Sequence, residues 1–147
     1  MRDSGFVTVT GERYADMLQN RIIPSLDDKH LLERTIFMQD GAPPHIARHV
    51  KDLLRRSFGD DRVLSHHFHH AWPPRSPDLS LCDYWLWGYL KSQVYRDRPT
   101  SLGMLKDNIR LQCLTITPDM LYSAVHNIIP RLKLLLRNDG EHIKHFL

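Results

Sequence analysis

Hydrophobic positions along the chain predict helices that alternate with short strands. Between Gly11 and Ile22 apolar side chains return at helical spacing, which indicates an amphipathic helix that Pro24 perturbs or ends. The apolar, partly β-branched run Thr35–Met38 indicates a buried strand, and Val63–Phe68 is predicted as a second strand. The first half of the chain is therefore predicted as helix, strand, helix, strand.

The helix between the two strands and three helices after them are predicted from prolines, capping residues and apolar stripes. One starts at Pro43 and stops at Gly59, because proline suits a first helical turn and glycine a helix end. Another is capped by Asp78, runs to about Val94 and is apolar around most of its circumference, so we expect it to be largely buried. The last two follow Thr100 and Thr117, and Pro130 is expected to kink the final one. Their expected inward positions are Leu102, Leu105, Ile109, Leu121, Val125, Ile128, Leu132 and Leu135.

Two strands make a small sheet for a chain of 147 residues. Sheets average about five strands, and isolated pairs are marginal. The length fits one domain. We therefore predict a single partial α/β domain over residues 1–147 that begins in the middle of its sheet.

Composition narrows the partners without fixing them. The formal net charge is +3 and the pI about 9.0, which permits a polyanionic partner but does not require one. Cys82 and Cys113 stand outside any metal-binding spacing, so reduced thiols in an intracellular compartment are expected. No apolar run approaches the roughly 18 residues of a membrane span, and Met1–Gly5 lacks a secretory signal. We expect no membrane partner.

Two aspartates stand out as candidate metal ligands. Asp40 directly follows the first strand, at the edge of a sheet where open α/β folds place ligands; a turn aspartate that bonds its own backbone is the common alternative. Asp83 lies near the start of the most apolar helix, beside Leu79, Leu86 and Trp87 at helical spacing, and an acid on a buried face needs a partner. The alternative is that Asp83 faces solvent at the helix start.

Oxygen ligands of this kind suit Mg²⁺, and a pair of such ions about 3.5–4 Å apart can support phosphodiester cleavage. That arrangement normally needs a third acid.

Two motifs resemble those of mariner-like transposases. The heptapeptide Gln39–His45 is similar to the second catalytic motif of the family, and Trp72–Leu79 followed by Asp83–Trp87 is similar to the third. The resemblance covers nearly the whole chain, including the helix from Gly11. It implies a ribonuclease-H-like fold that lacks its first strands and is followed by C-terminal helices.

The resemblance also implies roles for individual residues. Asp40 and Asp83 would be the second and third ligands for Mg²⁺ or Mn²⁺ in a catalytic triad of acids. The family's first acid lies on an earlier strand, which this chain lacks together with the helix-turn-helix region, and Asp3 is a poor substitute. Positions 41–82, 42 residues in all, separate the two aspartates, a longer spacing than the common mariner pattern. A polypeptide of these residues is therefore expected to be inactive alone.

Several basic and histidine residues are candidate DNA contacts. Arg75 lies in the loop between the two acid motifs, and His45 follows Asp40 closely. Arg48 and Lys51, together with Arg55, form a basic stripe opposite the apolar face of their helix, which is otherwise an ordinary solvated face. Lys91 is a further candidate. Such contacts are independent of DNA sequence and weaken with salt.

The resemblance implies DNA as partner, a homodimer as in the family, and the nucleus as location. Two alternative functions remain open at this point. One is a non-catalytic module for nucleic-acid binding or oligomerisation. The other is zinc binding by His66, His67, His69 and His70, which an extended segment disfavours because its side chains point to alternate faces.

Overall fold

The computed structural model describes residues 8–73, 76–141 and 143, and the chain divides into two compact units, residues 1–75 and 76–147. In the first unit, Thr10 caps a helix that continues without interruption to Asp28. Its elements are α1 Gly11–Met17, a π-helical turn Leu18–Ile22, and α2 Ile23–Asp28. Pro24 therefore perturbs this helix but does not end it.

A parallel strand pair joined by a helix follows. β1 Phe37–Met38 pairs with β2 Val63–Leu64 in the register Phe37 to Val63 and Met38 to Leu64. The connection contains α3 Arg48–Phe58, which Gly59 ends in a left-handed conformation with φ of 78°. Parallel strands require a long crossover connection of this kind, which usually contains a helix.

One face of α3 forms the core of the first unit. Phe58 contacts Phe37 with 5.2 Å between ring centroids. Gly11 allows α1 to approach the start of α3 closely, because a Cβ there would lie 2.8 Å from the Cβ of Ala47. The buried core side chains are Leu18, Val50, Leu53, Leu54, Phe58, Val63 and Phe68.

The second unit is helical. A π-helical turn spans Cys82–Leu86, and the helices are α4 Trp87–Val94, α5 Leu102–Leu114, α6 Pro118–His126 and α7 Ile128–Arg137. Arg131 ties this unit together, since its guanidinium donates to the Asp78 carbonyl at 3.2 Å and stacks 4.1 Å above the Tyr84 ring. Tyr84 in turn donates to the Ala124 carbonyl at 2.7 Å.

Several predicted boundaries are wrong, for identifiable reasons. The helix expected from Pro43 begins at Arg48, because the amides of His45 and Ile46 both bond the Ala42 carbonyl and hold a turn. The second strand stops at Leu64, because the Phe68 amide bonds back to the Ser65 carbonyl.

In the second unit, Asp78 lies in a turn and is not a helix cap. The helical run begins after Ser80, whose carbonyl accepts from the amides of Asp83 and Tyr84. The predicted last helix breaks at Asn127, which places Pro130 in the first turn of α7, where no amide donor is needed.

The burial expected for the C-terminal helices is also wrong. Trp87 is exposed, and α5 has no buried residue. Among the expected inward positions, those classed as exposed are Leu102, Ile109, Leu121, Val125 and Leu132. Within the described ranges, no helix combines the length and the apolar character that a bilayer crossing demands.

Candidate functional site

Asp40 lies where the carboxyl end of β1 meets the following turn. Its carboxylate is about half exposed, and Oδ1 accepts from the Ala42 amide at 3.1 Å, which is the turn geometry common for aspartate. The same oxygen lies 2.6 Å from Nδ1 of His45, which donates to it. The structure therefore brings together two of the predicted site residues, Asp40 and His45.

A buried polar network holds this turn against the first helix. Tyr14 donates its hydroxyl to Oε1 of Gln39 at 2.9 Å. Nε2 of Gln39 donates to the His45 carbonyl and to Oγ of Ser65, both at 3.0 Å. These hydrogen bonds connect α1, the turn after β1 and the segment after β2. Gln39 is only 6% exposed, and a polar side chain so buried needs such partners.

Burial and charge act together on the phenol of Tyr14. Burial raises the pKa of Tyr14 to about 12, and the negative charge of Asp40 adds to the shift. The Tyr14 ring also packs on the His45 imidazole, with 4.4 Å between centroids. Tyr14 thus stays a neutral hydrogen-bond donor at physiological pH beside a charged carboxylate.

Asp83 occupies the π-helical turn Cys82–Leu86 of the second unit. Its side chain is exposed, which corrects the expectation of an acid on a buried face. Leu79 is buried, as expected, but Trp87 is 49% exposed, so the apolar neighbours do not form one continuous buried stripe. An exposed carboxylate at this position is a hard oxygen donor open to solvent.

Asp40 and Asp83 belong to different units, 1–75 and 76–147. The hypothesis that they share metal ions stays a prediction. Arg75 lies outside the described residues, as do Asp3 and the proline before Arg75.

The candidate DNA contacts differ in how free their charges are. Arg48 has a side chain 96% exposed and only a 4.0 Å contact to Asp52, the kind of surface pair that contributes little. Arg55 is instead engaged, with Nε donating to Asp60 at 3.0 Å and Nη2 to the His67 carbonyl at 3.0 Å. Lys51 is half-buried.

In the second unit, Lys91 is exposed and lies at an apolar groove of about 170 Å³. The groove is formed by α4 and α5 side chains, among them Trp87, Leu90 and Ile109. Lys91 is the one lysine or arginine among the described residues that line it. Its role as a DNA contact stays a prediction.

The histidine-rich segment after β2 is folded back instead of extended. His67 has a positive φ of 66°, and the Ser65 amide bonds the His70 carbonyl at 3.2 Å. The imidazoles of His69 and His70 consequently stack on each other, with centroids 4.7 Å apart. The expectation that these side chains alternate between faces is wrong for this pair.

Sequence reasoning missed the supporting residues of the Asp40 turn. Tyr14 lies within the helix predicted from apolar spacing and received no polar role there, and neither Gln39 nor Ser65 received a role of its own. A glutamine directly after a buried strand was the available signal, since a polar side chain at such a position requires partners.

Comparisons with known proteins find similarity to transposases, both in sequence and in structure. The chain is 29% identical over 98 residues to the transposable element Tcb2 transposase of Caenorhabditis briggsae, a match of 66% of this chain and 32% of that protein. The chain thus spans about a third of this curated relative. No protein-family model matches the chain.

Solved structures match the fold. The Mos1 transposase catalytic domain, in a structure with raltegravir and manganese, superposes with a TM-score of 0.78 at 24% identity and covers 96% of this chain and 68% of that chain. The Mos1 transposase paired-end complex with the left transposon end gives a TM-score of 0.76 at 27% identity, with 94% and 38% covered. The fold is ribonuclease-H-like, helix-rich, with a small parallel sheet.

Proposed function

We propose that this chain, related through its fold and its motifs to the catalytic domain of mariner-like transposases, derives from an enzyme that cuts DNA and joins the freed end to a target. The observation that carries the proposal is the Asp40 turn. It presents a solvent-accessible carboxylate at the carboxyl end of a parallel strand, where open α/β sheets place their ligands. DNA as partner, a homodimer and a nuclear location are part of the proposal.

The donor chemistry of the two aspartates fits the divalent ions of such an enzyme. Asp40 and Asp83 would hold Mg²⁺ or Mn²⁺, since both offer exposed carboxylate oxygens. The bound ions would supply electrostatic stabilisation of the attacking and leaving oxygens. His45, which bonds Oδ1 of Asp40, orients that carboxylate, and Tyr14 packs against the histidine ring.

Metal binding can be tested directly on the purified chain. Mn²⁺ titrated into isotope-labelled protein should broaden the amide resonances around Asp40 and Asp83 in the same concentration range. Asp40→Asn and Asp83→Asn should each weaken the broadening around both aspartates. Asp107→Asn, at an exposed acid on α5, should leave that broadening unchanged. Broadening around one aspartate that survives substitution of the other would refute a shared site.

We further propose that the 147 residues alone do not cleave DNA, because the resemblance implies three acidic metal ligands and assigns only two of them, Asp40 and Asp83, in this chain. Supercoiled plasmid incubated with the chain and Mg²⁺ or Mn²⁺ should stay as intact as with the Asp40→Asn/Asp83→Asn double variant. Nicking that disappears in Asp83→Ala would contradict this proposal.

A non-catalytic DNA-binding function is the second candidate, and the exposure of Arg48 favours it. Binding to a duplex of arbitrary sequence should then fall steeply with salt. Asp40→Ala should leave that binding unchanged, whereas Arg48→Ala should weaken it at low salt. Binding that depends on DNA sequence would count against a contact made to the phosphate backbone.

A further inference from the structure

A second cluster of potential metal ligands lies on the first unit, apart from the aspartates already discussed. Asp61 comes from the 3-10 turn Asp60–Arg62, and His69 and His70 come from the folded-back segment after β2. One ligand atom from each of the three residues can be chosen so that all lie within 4.8 Å of one another. All three side chains are exposed and therefore accessible to an ion from solvent.

The backbone that carries these ligands is fixed at several points. The His70 carbonyl accepts from the Ser65 amide, and the Phe68 amide bonds the Ser65 carbonyl at 3.3 Å. Phe68 is 6% exposed and anchors the loop in the core. The segment is thus held in place on both sides of His69.

The loop is also tied to the turn that provides Asp61. Oδ2 of Asp60 accepts from the His69 amide at 3.1 Å, while its Oδ1 accepts from Arg55. Arg55 stacks 4.7 Å above the Phe68 ring. Contacts that fix the position of metal ligands strengthen a metal site.

We propose that Asp61, His69 and His70 form a site for a divalent transition ion of the zinc type, with water completing the coordination. Two imidazoles and one carboxylate suit zinc and its neighbours, whereas Mg²⁺ prefers oxygen ligands alone. The proposal does not depend on the proposed function, because it uses none of the residues assigned to the Mg²⁺ or Mn²⁺ site.

The observed distances are close to those that a bound ion needs. Zinc bonds to nitrogen and oxygen are about 2.0–2.2 Å, so two donors at the tetrahedral angle lie about 3.4 Å apart. The largest separation in the cluster must therefore shorten by up to about 1.4 Å, which rotation of exposed side chains can supply. Nδ1 of His69 already lies 2.7 Å from Oδ1 of Asp61, and metal bonds would replace that hydrogen bond.

Calorimetric titration of the metal-free chain with Zn²⁺, in the presence of excess Mg²⁺, tests the proposal. We expect one zinc ion per chain at this site, and a loss of affinity of at least about tenfold in Asp61→Asn, His69→Ala and His70→Ala. His66→Ala and His67→Ala are matched controls in the same loop and should bind as the unsubstituted chain does. Asp40→Asn should also bind normally, which separates this site from the transposase-like one.

Zinc-induced changes in chemical shift can be measured on the unsubstituted chain, so this measurement does not depend on whether a variant folds. They should be confined to residues around 60–70 at one equivalent of zinc. Zinc binding that persists in all three ligand variants, that is lost equally in the two control variants, or that perturbs a different region would overturn the proposal.

Discussion

At the scale of single residues, buried polar side chains with several partners define the turn that presents Asp40. Gln39 uses both its amide oxygen and its amide nitrogen, and Tyr14 supplies the hydroxyl that satisfies the oxygen. An unpaired buried acceptor costs more than the net gain of an average hydrogen bond. The position of the Asp40 carboxylate therefore depends on Gln39 and Tyr14, which are not themselves candidate metal ligands.

Tyr14→Phe should destabilise the chain by roughly 1–3 kcal/mol, because Oε1 of Gln39 loses its donor inside the protein. The loss should shrink at alkaline pH. The pKa of Tyr14 is 10.0 in the unfolded chain and about 12 in the folded one, so the unfolded state releases its proton first and the stability of the unsubstituted chain falls across that interval.

Urea unfolding of both proteins between about pH 8 and about pH 11 measures this convergence. Tyr122→Phe, at a side chain 65% exposed, is the control and should cost little at any pH. An unchanged gap between Tyr14→Phe and the unsubstituted chain at the highest pH would show that the phenol is not shielded.

The histidines of one short loop should titrate differently. The hydrogen bond and the charge of Asp61 raise the pKa of His69 above 6.5, whereas the charge of His66, followed by burial and by Lys51 and Arg55, lowers the pKa of His67. The pairing with Asp61 favours the folded state below the unfolded pKa of His69, and that contribution is lost as pH rises through the raised folded value.

Proton NMR titration of the metal-free chain should therefore show His69 above His67. Asp61→Asn should bring the pKa of His69 down, while Asp107→Asn should leave both histidines unchanged. Equal pKa values for His69 in the unsubstituted chain and in Asp61→Asn would contradict the ion pair between His69 and Asp61, whose atoms lie 2.7 Å apart.

At the scale of elements, residue type predicted some helix ends and missed others, and burial was predicted poorly. Gly59 ends α3 and Thr117 caps α6 as expected, whereas the helix starts expected at Pro43 and Asp78 were wrong. Asp83 was misplaced because helical spacing assumes a continuous α-helix, whereas its turn is π-helical. A π-turn shifts the numbering of the residues before it relative to those after it, so α-helical spacing counted across the turn does not identify the face on which Asp83 lies.

Gly59→Ala should lower the free energy of unfolding by roughly 1–3 kcal/mol, because φ of 78° with ψ of 160° is a conformation almost restricted to glycine. A Cβ at this position would meet no atom within 4 Å, so the cost comes from the backbone alone.

Gly88→Ala is the matched control, in the interior of α4 and also in open space. It should stabilise the chain by about 0.5–1 kcal/mol, since alanine favours a helix over glycine. Thermal or urea unfolding checks both, and the same sign of change for both substitutions would contradict the backbone argument.

At the scale of the whole molecule, the described residues bury their apolar side chains unevenly. The core of the first unit contains fully buried residues such as Leu54 and Phe58, whereas most of the exposed large apolar side chains lie on α4 to α7. The periodicity of a sequence identifies which side of a helix is apolar but not whether anything covers it. That is why the apolar face of α3 is buried as expected, whereas Ile36 of the predicted buried strand, at 64% exposed, and most expected inward positions of the C-terminal helices are not.

Leu54→Ala should cost about 2–5 kcal/mol, because the side chain is 0% exposed and its removal leaves a cavity. Leu136→Ala, at a side chain 81% exposed, should change stability by no more than about 0.5 kcal/mol. Urea unfolding of the two variants checks the contrast, and a large cost at Leu136 would indicate that α7 packs against another surface in solution.

The apolar run before Asp40 correctly predicted its place near the end of a strand, and the structural matches support the fold that the motifs implied. The position of Gln39 indicates that it needs partners, but the sequence does not identify Tyr14 and Ser65 as those partners, because they lie 25 and 26 positions away and that spacing follows no periodic rule.

The π-helical turn Leu18–Ile22 amounts to one surplus amino acid that the first helix has absorbed. Deleting a residue there should restore an ordinary α-helical ladder and leave the helix intact. The deletion would leave Tyr14 in nearly the same orientation relative to α2, because the wider π-turn accommodates the extra residue without turning its two flanking segments against each other. The same deletion between Tyr14 and the π-turn would instead rotate Tyr14 by about 100° relative to α2, since each residue turns an α-helix by that angle. Only that second change in chain length would withdraw the phenol from Gln39 and loosen the Asp40 turn.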